Sequence, residues 1–181
     1  MYEFVDSPLY RLEPGARFFI WSTREWMNAA SSRRCVCGVI GGAFAAHGVG
    51  EATDHFHLAM RTMFQNALVP LYFGCRNRET VTEHEAVLLA ALGHASEGVE
   101  PVKEVARGLV HADMAPVLAH ALRSVASIFD QAGRSFGPVR HGLDRPTMRE
   151  RVERLIANLP PSLKHTARFR ARGASEGPDH V

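Results

Sequence analysis

The side chains best suited to chemistry are cysteines and histidines in the first half of the chain. Cys35 and Cys37 flank one valine, and Cys75 lies later in the sequence. His55 and His57 flank one phenylalanine. Thiolate and imidazole groups bind zinc and related metals, but residues two apart on a helix point roughly 200° away from each other. We therefore predict no metal site and no cofactor, with buried thiols and surface histidines instead.

Other motifs for chemistry are incomplete. Gly38, Gly41 and Gly42 form the run GVIGG, which lacks the lysine-serine end of a phosphate-binding loop and follows no strand. The spacing of Gly38 and Gly42 favours close packing of two helices instead. Serine, histidine and aspartate are present, but no nucleophile elbow or related signature surrounds them. The sequence indicates no catalytic residue and favours a non-enzymatic protein.

One stretch has the pattern of a DNA-binding motif. The segments VTEHEAVLLAAL, KEVARGLV and MAPVLAHALRSVASIF, within residues 81–129, resemble the helix-turn-helix of LuxR-type response regulators. A recognition helix of that kind presents polar and basic groups to bases and phosphates. The corresponding helix here carries only Arg123 as a strong base, which predicts a core helix, and we do not assign the chain to that family.

The most distinctive feature of the sequence is its charge distribution. Residues 1–133 contain 11 basic and 14 acidic side chains, whereas residues 134–173 contain 10 basic and 3 acidic ones. Arginine forms forked contacts with carboxylate and phosphate groups. We predict that this segment binds an acidic protein surface or a nucleic acid phosphate backbone. The predicted binding residues are Arg145, Arg149, Arg151, Arg154, Lys164, Arg168, Arg170 and Arg172. The alternative is that these charges only keep a helix and a tail in solution.

Helices must position these groups, because apolar residues recur with helical period in nearly every segment. The spacing predicts helices near residues 14–30, 35–46, 51–68, 83–92, 101–110, 113–129 and 147–159. Thr82 and Glu85 have the spacing of a capping box. The predicted inner faces include Phe19, Met63, Phe64 and Leu122. Residues 69–73 are a weak strand candidate, because the run is short and contains a proline.

These patterns predict an all-α fold, a compact bundle of six or seven helices with a basic, partly disordered C-terminal tail. Residues 1–133 form the predicted helical body. Residues 134–159 form a linker and a basic amphipathic helix, and residues 160–181 form a disordered tail. A hydrophobic fraction of 46% and a charged fraction of 22% are typical of a globular protein.

The same bulk properties indicate a location and a class of function. The longest apolar run is shorter than the roughly 20 residues of a membrane span. The first residues lack the pattern of a signal peptide, and three cysteines do not form a disulfide framework. We predict a cytoplasmic adaptor or regulatory protein that acts through protein–protein contacts, with a homodimer as one arrangement. The alternatives are a nucleic-acid-binding regulator that uses the basic segment, and a metal- or cofactor-binding helical protein.

Overall fold

The computed structural model describes residues 4–137 of the chain. This part contains six α-helices: α1 (Pro14–Ser31), α2 (Val36–Ala46), α3 (Ala52–Asn66), α4 (Glu83–Gly93), α5 (Val99–Arg107) and α6 (Ala115–Gln131). Two 3-10 turns, Leu9–Arg11 and His94–Glu97, precede α1 and α5. The all-α prediction is confirmed, and the first six predicted helices are all present. The seventh, near residues 147–159, lies outside the described residues.

Local sequence explains where several helices begin. Pro14 occupies the first position of α1, where the missing N–H group of proline would have no helical partner. At the start of α4, the Glu85 N–H group donates to the Thr82 hydroxyl at 3.4 Å. The Thr82 N–H group donates to the Glu85 carboxylate at 2.8 Å. This reciprocal pair is the predicted capping box, which is confirmed.

The core lies where the helices meet. α6 packs against α3, α5 and α4, while α2 contacts both α1 and α3. Aromatic rings join these helices, with centroids 5.5 Å apart for Phe19 and Phe56 and 5.2 Å apart for Phe44 and Phe56. Phe19, Met63 and Leu122 are fully buried, as predicted. None of the helices between residues 14 and 131 is long and apolar enough to cross a membrane.

Extended segments connect the helices without forming a sheet. Within residues 4–137, strand-like pairing is limited to two isolated bridges, Pro8 with Thr80 and Ala67 with Val110. Residues 69–73 form no strand, as the proline predicts. The N-terminal segment lies along residues 79–81, where the Asp6 N–H group donates to the Val81 carbonyl at 3.0 Å. These bonds tie the segment before α1 to the segment before α4.

Core packing continues past Gly133, the predicted end of the body. Phe136 is buried, and its ring lies 5.1 Å from that of Phe129 and 5.9 Å from that of Phe19. A Cβ atom at Gly15 would lie 2.3 Å from the Arg134 carbonyl oxygen, so only glycine allows this approach. Residues 134–136 therefore belong to the packed structure. The predicted boundary at residue 159 lies outside the described residues.

Candidate interaction surface

The basic residues predicted to bind a partner all follow residue 137. Arg145, Arg149, Arg151, Arg154, Lys164, Arg168, Arg170 and Arg172 therefore lie outside the described residues. Their role in binding stays a prediction. Any candidate site that the structure describes therefore consists of residues within 4–137.

The prediction of buried thiols is wrong. Cys35, Cys37 and Cys75 are free and exposed. The apolar composition of α2 predicts a buried helix, but only Ile40 and Phe44 are buried, and Val36, Val39 and Ala43 are partly buried against the core. Its glycines do not make the predicted close packing either. Outside the helix's own backbone, a Cβ atom at Gly42 would meet no described atom within 4 Å, and one at Gly38 would meet only the Cys35 side chain.

The exposure of the three thiols can be tested directly by their reactivity. In the folded wild-type protein, we expect a thiol reagent such as dithionitrobenzoate to modify Cys35, Cys37 and Cys75 without denaturant, because thiol reactivity requires access. Released thionitrobenzoate measures the number of modified thiols. Three equivalents of thionitrobenzoate per chain are expected. One equivalent or none before denaturation would show that the cysteines are buried.

The histidines lie where the sequence predicts them. None of the seven histidines in residues 4–137 is buried, although His47, His57 and His84 are half-buried. In the same range, no three histidine, cysteine, aspartate or glutamate side chains are grouped so that they could hold a metal ion.

An exposed apolar surface runs from the end of α3 into the segment that follows it. The exposed fractions are 61% for Phe64, 47% for Leu68, 52% for Val69 and 60% for Tyr72. These four side chains, called the Phe64 surface below, lie within nine residues of one another. Contiguous exposed apolar groups mark interaction sites, whereas single ones are ordinary, and closeness in sequence makes these four a candidate for such a surface. The surface is the strongest candidate site among the described residues.

The sequence pattern placed Phe64 on the inner face of α3, and this prediction is wrong. Met60 and Met63 turn into the core, but Phe64 is rotated by a further 100° around the helix from Met63. Its ring instead packs against the ring of Trp26, a buried side chain of α1, and the two ring centroids are 5.9 Å apart. His57, Arg61 and Phe64 share the spacing of one helix face, so the apolar surface continues into an exposed arginine.

A buried ion pair supports the segment that carries Tyr72. The Arg24 guanidinium donates to the Glu85 carboxylate from Nε at 2.7 Å and from Nη2 at 2.8 Å. Both side chains are almost fully buried. Arg24 also donates to the carbonyl oxygens of Arg78 and Thr80, the latter at 2.8 Å. A buried pair needs such additional hydrogen bonds to offset the loss of water.

The acceptor side of this pair is equally complete. One Glu85 oxygen accepts from the Gly74 N–H group at 3.0 Å, and the other accepts from Thr82. A Cβ atom at position 74 would lie 2.7 Å from Arg24 Nη2, so glycine is required where the backbone crosses the guanidinium. The Thr82 hydroxyl donates to the Tyr72 carbonyl at 3.1 Å. Residues 72–82 are therefore fixed to α1 and α4.

Two arginines near this region differ in their partners. Arg76 pairs with Glu25, which is itself buried, and this carboxylate raises the pKa of Arg76 above its ordinary value. Arg61, by contrast, is exposed and has no hydrogen-bond or ion-pair partner within residues 4–137. Its guanidinium is free to bind an anionic group beside Phe64.

α6 corresponds to the recognition helix of the helix-turn-helix resemblance, and its packing is that of a core helix. Eight of its residues are buried, Leu118, Leu122 and Phe129 among them. Arg123 faces an open cleft that Asp130 also lines. A carboxylate in the same cleft as the one arginine of α6 is unfavourable to phosphate.

Comparison with known proteins identifies no family for this chain. The chain matches no family model, no curated protein and no solved structure.

Proposed function

We propose that this protein is a non-enzymatic adaptor, which binds an acidic protein partner through the Phe64 surface. The observation that carries the proposal is the exposure of Phe64, Leu68, Val69 and Tyr72, the last of which is held by a partly buried hydrogen bond from Thr82 to its carbonyl. A rigid aromatic anchor adds contact area without a large loss of conformational freedom. Aromatic side chains are accordingly enriched where protein interfaces bind most strongly.

Charge supports an acidic partner. Arg61 lies one helical turn before Phe64, exposed and without a partner among the described residues. Residues 1–133 carry more acidic than basic side chains, so the rest of the body repels an acidic protein. An acidic partner is therefore drawn to Arg61 and to the basic segment at residues 134–173. At such a surface the exposed arginine orients the partner, and the apolar anchor provides the affinity for it.

Site-specific crosslinking in the native host tests the proposal. We expect benzoylphenylalanine at position 72 to crosslink the full-length chain to an acidic protein, because the Tyr72 side chain is 60% exposed. The matched control carries the same group at position 58. Leu58 is also exposed on α3 but lies about 120° around the helix from Phe64. Mass spectrometry identifies the crosslinked protein.

The result separates three outcomes. A distinct acidic protein crosslinked from position 72 and not from position 58 agrees with the proposal. A crosslink to a second copy of this chain would instead make the Phe64 surface a homodimer interface. Equal crosslinking from both positions, or none from position 72, contradicts the proposed site.

The nucleic-acid alternative is distinguished by its dependence on salt. Binding to duplex DNA through arginines in residues 134–173 weakens steeply as salt is added, because each phosphate contact releases counterions. Binding through an apolar anchor weakens much less. Within residues 4–137 the exposed aromatic surface favours the protein partner.

A further inference from the structure

Two histidines make hydrogen bonds at the two ends of the Phe64 surface. The buried Trp26 indole, on which Phe64 packs, donates its Nε1–H to His57 Nδ1 at 3.1 Å. At the other end, the backbone N–H group of Tyr72 donates to His84 Nδ1, also at 3.1 Å. His57 lies on α3 and His84 on α4, so the two bonds come from different helices.

Both bonds require a neutral imidazole. The indole N–H and the backbone N–H can only donate, so each Nδ1 must accept, and the ring proton lies on Nε2. Protonation turns Nδ1 into a donor and removes the acceptor. The Trp26 indole is buried, so it then loses its partner without gaining a water molecule of equal value. The Tyr72 amide loses the bond that holds its end of the surface.

We infer that His57 and His84, in their neutral form, are positioning residues that hold the Trp26–Phe64 contact and the Tyr72 backbone in the shape of the Phe64 surface. The importance of that shape for binding rests on the proposed function. The shape itself depends on hydrogen bonds within this chain, and these can be measured in the absence of a binding partner.

Charged groups around His57 come from two helices. On α3 itself, Asp54 precedes it and Arg61 follows it by about one turn. On α1, the carboxylate next to Trp26 belongs to Glu25, which pairs with Arg76. An acidic and a basic side chain therefore flank His57 along α3, and the α1 carboxylate already has an arginine partner.

Around His84, the charged groups belong to the start of α4. Glu83 precedes His84 and is exposed, and Glu85 follows it and is bound by Arg24. The segment packed against His84 offers it the Tyr72 backbone N–H group. The bond to Tyr72 thus depends on an unprotonated Nδ1 and not on an ion pair of the buried network.

Proton exchange measured by NMR on the full chain tests the inference. The Trp21 indole is exposed and serves as the internal reference, while the Trp26 indole reports the His57 bond. We expect His57→Gln to raise the exchange rate of the Trp26 indole relative to Trp21 by about five- to tenfold, the effect of one lost hydrogen bond. His57→Asn keeps an acceptor near the Nδ1 position and should restore most of the protection.

The same comparison at His84 uses the Tyr72 amide, which should exchange faster in His84→Gln and near the wild-type rate in His84→Asn. Equal exchange in the Asn and Gln variants at either position overturns the inference. Failure of the crosslinking experiment would overturn the proposed partner and leave these exchange results standing.

Discussion

Replacing Arg24 with methionine is expected to lower the free energy of unfolding by about 3–5 kcal/mol, the cost of leaving one partner of a buried ion pair alone. Glu85 would keep its burial and lose two hydrogen bonds from the guanidinium. The carbonyl oxygens of Arg78 and Thr80 would lose their donors as well. Urea unfolding of the full chain, followed by circular dichroism, measures the change.

The matched control is the same substitution at an exposed pair. Arg107 contacts Glu104 on the surface of α5, with both side chains well exposed. Arg107→Met should change stability by about 1 kcal/mol or less, as exposed ion pairs do. If the Arg24 and Arg107 variants lose the same small amount, the buried network does not stabilise the fold, and the rigidity of residues 72–82 needs another cause.

Truncating Phe19 to alanine should cost about 3–5 kcal/mol, from lost burial and the cavity left behind. Phe19 is fully buried, and its ring meets those of Phe56 at 5.5 Å and Phe136 at 5.9 Å, both edge-on. The cavity would therefore open between α1, α3 and the segment after α6. Thermal or urea unfolding gives the change.

Phe64→Ala is the control for Phe19, because the residue and the substitution are the same and only the exposure differs. Phe64 is 61% exposed, so we expect a loss of about 1 kcal/mol or less from its contact with Trp26. A large loss at Phe64 would mean that its ring is part of the core. A small loss at Phe19 would mean that α1 is packed differently from the arrangement described here.

The helices could be predicted because their signals are local. Proline at the start of α1, the capping box at Thr82 and Glu85, and apolar residues at helical spacing all lie within a few positions of what they determine. The burial of Phe19, Met63 and Leu122 followed from the same spacing.

The parts that could not be predicted depend on contacts between distant residues. Arg24 is a charged residue within a helix, and its burial is explained by partners far along the chain, chiefly Glu85, 61 positions away. The capping box located Glu85 but did not indicate its second partner. Phe64 lies at the edge of the apolar stripe of α3, where a rotation of 100° decides between core and surface.

The cysteines show the limit of composition as a guide. A nearly all-apolar helix predicts burial on every side, but α2 buries only Ile40 and Phe44, because α1 and α3 cover one of its sides. Small residues on the opposite side remain open, which the composition alone does not reveal.

The dissociation constant of the crosslinked partner tests most directly whether the Phe64 surface binds an acidic protein. Phe64→Ser should weaken binding to the full-length chain by about 30-fold or more, as loss of a central aromatic anchor does, whereas Leu58→Ser should leave it within about threefold. Arg61→Glu should also weaken binding. This loss of affinity should be smaller at high salt, because salt screens exposed charges. Equal dissociation constants for the Phe64 and Leu58 variants would contradict the account, because the partner would then bind elsewhere on the chain.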